Sequence, residues 1–192
     1  MAKAKPKRGA TPTRVYQIKV TLEGAKPPIW RRLLVSADMT LADVHDIIQV
    51  AMGWHNCHLH MFEVNGESYG QPHPDDSEDI HNEARITLGK VAPGEKAKIH
   101  YQYDFGDSWD HSILVEKVLE PDPAAQYPSC VKGVRNCPPE DCGGIWGYAD
   151  FLAAIADPKH PEHADMVEWS GGGFDPEEFD LAAVNATLRR FR

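Results

Sequence analysis

The chain has 192 residues, with 20 Lys and Arg against 29 Asp and Glu and a net charge of −9. That length suits one domain of ordinary size, and 42% hydrophobic with 26% charged residues is the usual balance of a soluble globular protein. No apolar run approaches the roughly 18 residues a membrane span needs, and the first residues carry no apolar core that could act as a signal peptide. The expectation is a cytoplasmic protein without membrane association.

The charge is uneven. Met1 to Thr13 carries Lys3, Lys5, Lys7 and Arg8 and no acid, which leaves 16 basic residues against 29 acidic ones, or −13, from Arg14 onward. Residues 1–13 read as a disordered basic tail and 14–192 as one domain. A body this acidic repels a phosphate backbone, and non-specific DNA binding is mostly phosphate neutralisation. DNA is therefore expected to bind weakly and only through the tail. Four cysteines in a chain of this length are too few for a disulfide scaffold, so they are read as thiols, metal ligands or a redox pair.

In chain order, residues 14–22 alternate apolar and polar as a half-buried strand does. A Pro-containing turn follows, and 29–35 returns as a hairpin partner. Thr40 to Met52 is the clearest helix. Thr40 and Asp43 stand in capping-box register, Leu41, Val44, Ile47, Ile48, Ala51 and Met52 form one apolar stripe, and Gly53 ends it. Residues 58–64 alternate up to Asn65-Gly66, a hairpin signal, and 67–70 return. The polar stretch 71–82 reads as a mobile loop. Residues 96–105 and 109–119 form a hairpin over Gly106-Asp107-Ser108. Residues 120–144 make a long connection rich in Pro, Gly and Cys, of the kind that is usually functional or pinned by something. The C-terminal part reads as helical: a stripe at Tyr148, Phe151, Leu152 and Ile155, a short helix over 161–169, and a last helix capped by Asp175 with Leu181, Val184 and Leu188 as its buried face. The order predicts an α+β fold: a largely antiparallel or mixed sheet with a β-grasp-like N-terminal part, and helices clustered at the C-terminus.

Two stretches carry candidate chemistry. Tyr101 to Ser112 puts aromatics in alternation before a Gly-Asp turn and Trp109-Asp110-His111. Tyr101 and Tyr103 suit a core, whereas Asp107, Asp110 and His111 are not required by packing. Asp110 and His111 point to opposite faces of a regular strand, which weakens an Asp–His dyad. Upstream, Trp54, His58 and His60 join the candidate binding set, the two histidines sharing one strand face. Downstream, Cys130, Cys137 and Cys142 are spaced more loosely than ordinary zinc knuckles. With His111, or else His58 or His60, as fourth ligand they would hold a structural zinc. Without metal, Cys137 and Cys142 would lie within disulfide reach. The turn and the cysteine loop are expected to dock together, because a long irregular loop needs a surface to offset its ordering entropy.

These motifs, Pro27-Pro-Ile-Trp-Arg-Arg32, Trp54 with His58-Leu-His-Met-Phe62, Tyr103-Asp-Phe-Gly-Asp-Ser-Trp-Asp-His111, Cys137-Pro-Pro-Glu-Asp-Cys-Gly-Gly144 and Phe174-Asp-Pro-Glu177, resemble the plasmid pRiA4b ORF-3-like family. The resemblance runs from Val15 to Arg190. It implies a bacterial or archaeal, single-domain α+β protein and fixes no chemistry. Members are also described as TnpR-type passenger proteins of insertion elements, which implies an association with mobile elements. The residues argue against recombination. The last predicted helices carry Asp165, Glu168, Glu177, Glu178 and Asp180 in place of a basic helix-turn-helix, and Tyr148 is the last tyrosine.

Two functions remain open from sequence. One is a binding or adaptor module whose acidic, aromatic-rimmed site takes a protein, peptide or small cationic ligand. The other is a metal- or thiol-dependent enzyme that uses the Asp107–His111 turn and the Cys130–Cys142 loop.

Overall fold

Alternation builds the sheet. In strand β1 (Val15–Leu22) every second side chain from Tyr16 is buried and those between are half-exposed, and β2 (Ile29–Ser36) repeats the pattern in antiparallel register. The computed structural model describes residues 13–72 and 80–191. Among them it forms one eight-stranded sheet completed by β3 (His60–Val64), β4 (Glu67–Gly70), β5 (His81–Asn82), β6 (Lys98–Tyr103), β7 (Trp109–Leu119) and β8 (Ser129–Val134). The strand order is β5-β4-β3-β6-β7-β1-β2-β8, and every pairing is antiparallel except the short β4–β5 edge. The helices are α1 (Leu41–Met52), α2 (Leu88–Val91), α3 (Gly144–Ala156), α4 (His163–Trp169) and α5 (Leu181–Leu188). The fold is thus α+β, with most helix at the C-terminus. The hairpin-then-helix opening has the order of a β-grasp, but the strand after α1 does not join β1; β6 and β7 stand between them.

α1 forms where its caps and stripe place it. Thr40 Oγ1 accepts from the Asp43 amide at 3.1 Å, the Asp43 carboxylate accepts from the Thr40 amide at 2.9 Å, and Gly53 closes the helix at φ 94°. Its stripe, Leu41, Val44, Ile47 and Ile48, is fully buried in the same core as Ile18, Leu33, Phe62, Ile113 and Val115 from the sheet. The opposite sheet face stays half-exposed and carries Lys19, Trp30, Arg32 and Glu116. Burial of the core residues supplies the main driving force for folding, at about 25 cal/mol per Å².

Two elements differ from the sequence reading. The connection 120–144 contains β8, which pairs with β2 at the sheet edge. The last helix begins at Leu181, capped by Asp180, and not after Asp175. The intervening segment is held to the sheet: Phe179 packs its ring on the Arg31 guanidinium at 4.2 Å, Glu177 pairs with Arg135, and the Pro176 carbonyl accepts from the Asn136 amide at 3.0 Å. Of the face expected on α5 only Leu188 is buried. The tail lies outside the described residues but for Thr13, as does most of the loop expected over 71–82.

Candidate functional site

Three segments meet at the end of the sheet where β3 and β7 begin and β6 finishes. They are the stretch after α1 (54–60), the β6–β7 turn (104–108) and the loop between β8 and α3 (137–143). Gly53 turns the chain out of α1 and lays Trp54 against Tyr103, with ring centroids 5.1 Å apart. Trp54 Nε1 donates to the Pro138 carbonyl at 3.0 Å, which ties the first segment to the third. In the turn, Asp104 adopts φ 57° and Ser108 φ 53°. The Asp104 side chain accepts from the Gly106 amide at 2.9 Å, and its carbonyl accepts from the Ser108 amide at 2.7 Å. Asn and Asp tolerate this left-handed backbone better than most residues. Asn56 and Asp141, in the other two segments, share it at φ 57° and 60°.

The turn and loop touch directly. Asp107 accepts from the Gly143 amide at 3.1 Å, and Gly144, at φ 68°, sits so close to the Asp107 carbonyl that a Cβ there would overlap it. Glu140 is the knot. Its carboxylate accepts from the Tyr103 hydroxyl at 2.6 Å and from the amide and Nδ1 of His55 at 3.1 and 2.8 Å. Burial works against this carboxylate, but the hydrogen bonds from Tyr103 and His55 outweigh it and hold its pKa below the usual value. The Tyr103 hydroxyl also accepts from the Cys57 amide at 3.1 Å.

Beside this knot His58 Nε2 faces two carboxylates, Asp141 Oδ1 at 3.1 Å and Asp104 Oδ2 at 3.7 Å. The three ligand atoms lie within 4.8 Å of one another. His58 Nε2 is shielded from solvent, yet neither contact is aligned as a hydrogen bond. Asp104 is buried and Asp141 exposed, so the cluster opens to solvent on one side. Leu59, Phe105 and Trp146, each exposed, are close in the chain to these residues.

The other predicted residues divide. Trp54, His58 and Asp107 belong to the meeting point. His60 does not join His58; it turns into the core, stacks on His45 with centroids 3.4 Å apart, and meets Glu83 at 2.8 Å. His58 precedes the strand, so the two-residue alternation does not hold it to the face of His60. Trp109 and His111 are fully buried beneath Trp54. His111 Nδ1 bonds the Trp109 carbonyl at 2.8 Å, and burial pushes its pKa down to about 3, so it is neutral. Asp110 lies on the open sheet face, 3.2 Å from His100.

The cysteines have different surroundings. Cys130 on β8 contacts the Lys132 carbonyl. Cys137 sits between Arg31 Nη2 at 3.6 Å and the Met52 sulfur at 3.5 Å. Cys142 lies in the site loop. All four cysteines are free thiols, and the sulfurs of Cys130, Cys137 and Cys142 do not converge with His111 on one point. Burial pushes the Cys137 thiol up to about 11, against the pull of Arg31. Burial and then Asp107 push Cys142 up to about 12. These are protonated thiols, the opposite of an activated nucleophile.

Sequence reasoning missed the buried polar layer under the site. His45 Nε2 donates to Asn56 Oδ1 at 2.8 Å, and its Nδ1 accepts from the Tyr101 hydroxyl at 2.7 Å, which in turn accepts from Gln49 at 3.1 Å. This pattern fixes a neutral imidazole. Arg31 is also buried, its guanidinium donating to the carbonyls of Ala51, Trp30 and Val134 at 2.8–3.0 Å. Asp104 and Asp141 were legible only as members of motifs; their positive φ is the signal that singles them out.

An α+β module with an open, almost wholly antiparallel sheet, whose loops gather an acidic patch at one end of the strands, is the class these features define. The chain belongs to the plasmid pRiA4b ORF-3-like protein family, whose model matches residues 14–183. It is 37% identical over 172 residues to the uncharacterized protein y4hQ of Sinorhizobium fredii (strain NBRC 101917 / NGR234), covering 89% of this chain and 86% of that one. It is also similar to the crystal structure of a protein of unknown function, MM3350, from Methanosarcina mazei Go1. That likeness has a TM-score of 0.80 at 36% identity and covers 89% of this chain and 97% of that one.

Proposed function

We propose that the chain is a binding module whose acidic patch receives a cationic group of a protein, peptide or small molecule. The observation that carries this reading is the meeting of Asp104, Glu140 and Asp141 around His58, with Asp141 exposed and with exposed Leu59, Phe105 and Trp146 close by in the chain. Carboxylates gathered beside low-dielectric surface attract a cation more strongly than the same charges spread in water. The thiol-enzyme alternative loses its support at two points: Cys142 is held protonated, and His111 is buried as a neutral ring on a backbone carbonyl. The test is fluorescence titration with short Lys/Arg-rich and Asp/Glu-rich peptides. Basic peptides are expected to bind, to weaken with added salt, and to weaken again in Asp141→Asn. Equal binding of acidic and basic peptides would end the reading.

A further inference from the structure

We infer that His58 Nε2, Asp104 Oδ2 and Asp141 Oδ1 form a site for a divalent first-row transition ion, so that the cation this patch receives is a metal ion. The inference rests on the reading of the patch as a receptor for cations and names the cation. The donor set is mixed, one imidazole nitrogen with two carboxylate oxygens, a combination that suits Zn²⁺, Mn²⁺ or Fe²⁺. Their spacing fits. Donors bonded to one ion at about 2.0–2.2 Å stand roughly 3.0–3.6 Å apart, and His58 Nε2 lies 3.1 Å from one oxygen and 3.7 Å from the other. The orientation fits as well. At 3.1 Å an imidazole and a carboxylate ordinarily form a hydrogen bond, yet His58 Nε2 is solvent-shielded and makes none. The three donor atoms are thus gathered without being paired to one another by hydrogen bonds.

The neighbouring set of Cys57, His58 and Glu140 is the weaker candidate. Both Glu140 oxygens are already taken by Tyr103 and His55. Asp104 is held in place by the Gly106 amide through its other oxygen, while Asp141 stands exposed at the mouth, where an ion and its remaining water ligands have room.

The experiment strips the purified chain with a chelator and titrates Zn²⁺ and Mn²⁺ by calorimetry into the wild type, Asp141→Asn and His58→Ala. Thermal melting checks each fold, and Co²⁺ absorption reports thiolate ligation. One ion per chain, weakened at least about tenfold in each variant and without a thiolate–Co²⁺ charge-transfer band, is the expected result. Because Asp141 is exposed, its variant keeps the test valid if His58→Ala fails to fold. No uptake, uptake unchanged in Asp141→Asn, or a thiolate band abolished by Cys57→Ser would overturn the inference. If no ion binds while basic peptides still do, the metal site alone fails; if neither binds, the cation-receptor reading falls with it.

Discussion

His45 and His111 are the residues through which acid reaches the fold. An imidazole in an unfolded chain titrates near pH 6.5. Burial and then the neighbouring His60 push the folded His45 pKa down to about 4, and burial pushes His111 down to about 3. Between those values the unfolded chain binds a proton that the folded one refuses. Stability is therefore full above about pH 6.5 and falls as pH drops toward 4 and 3. Each histidine should remove about 2 kcal/mol between pH 7 and pH 5. Urea titrations at the two pH values check this, and His45→Gln should flatten the difference by about half, whatever it costs at pH 7. An unchanged midpoint across that range would show that neither ring is held neutral. None of this was visible in the sequence, where His45 is one polar residue on an apolar helix. The network around it comes from Tyr101, Asn56 and Gln49, which only the packing of α1 on β6 brings within reach.

At the scale of elements, α1 was the most legible part of the chain. Its cap, stripe and terminal glycine all agree, and agreement of local signals is what makes an element readable. Ile48→Ala should cost about 2–5 kcal/mol, because the side chain is fully buried between helix and sheet; a denaturant midpoint close to wild type would contradict that placement. β8 was not legible. Ser129, Cys130, Val131, Lys132, Gly133 and Val134 alternate poorly because the strand lies at the sheet edge and pairs only with β2. Gly133 is there for packing: any larger side chain would strike the Phe179 ring. The same ring explains the misplaced start of α5. Asp175-Pro-Glu-Glu has the look of a helix entry, but Phe179 and Glu177 are drawn to Arg31 and Arg135 across the sheet edge, so the helix starts five residues after Pro176. The docking of the β6–β7 turn on the 137–143 loop was foreseeable, because a structureless loop needs a surface. Which histidine would face it was not, since the bend between Cys57 and His60 interrupts the strand period.

For the whole molecule the decisive quantity is charge. The chain from Arg14 onward carries −13, and the basic residues of the first thirteen positions offset only part of it. Retention on DNA at low salt is expected to vanish when residues 1–13 are deleted, as measured by mobility shift across a salt series. Sequence-specific, salt-tolerant binding by the shortened chain would mean that the open face carrying Lys19, Arg32 and Lys132 outweighs the acidic surround. That face was anticipated only in outline: strand alternation predicts one wet side. It does not predict that Lys19, Arg32 and Lys132 all gather within 6 Å of the Trp30 ring, because cross-strand neighbours depend on register.

The Glu140 knot has a kinetic corollary. Its carboxylate holds the His55 amide directly and the Cys57 amide through the Tyr103 hydroxyl, whereas the Gly143 amide is held separately by Asp107. Two backbone amides of the stretch after α1 are thus locked by one side chain, one directly and one at one remove. In native-state hydrogen–deuterium exchange they should lose protection together, with a common opening free energy below that of the sheet. Tyr103→Phe should speed exchange at Cys57 most, since it removes the acceptor of that amide while leaving the grip of Glu140 on His55 intact.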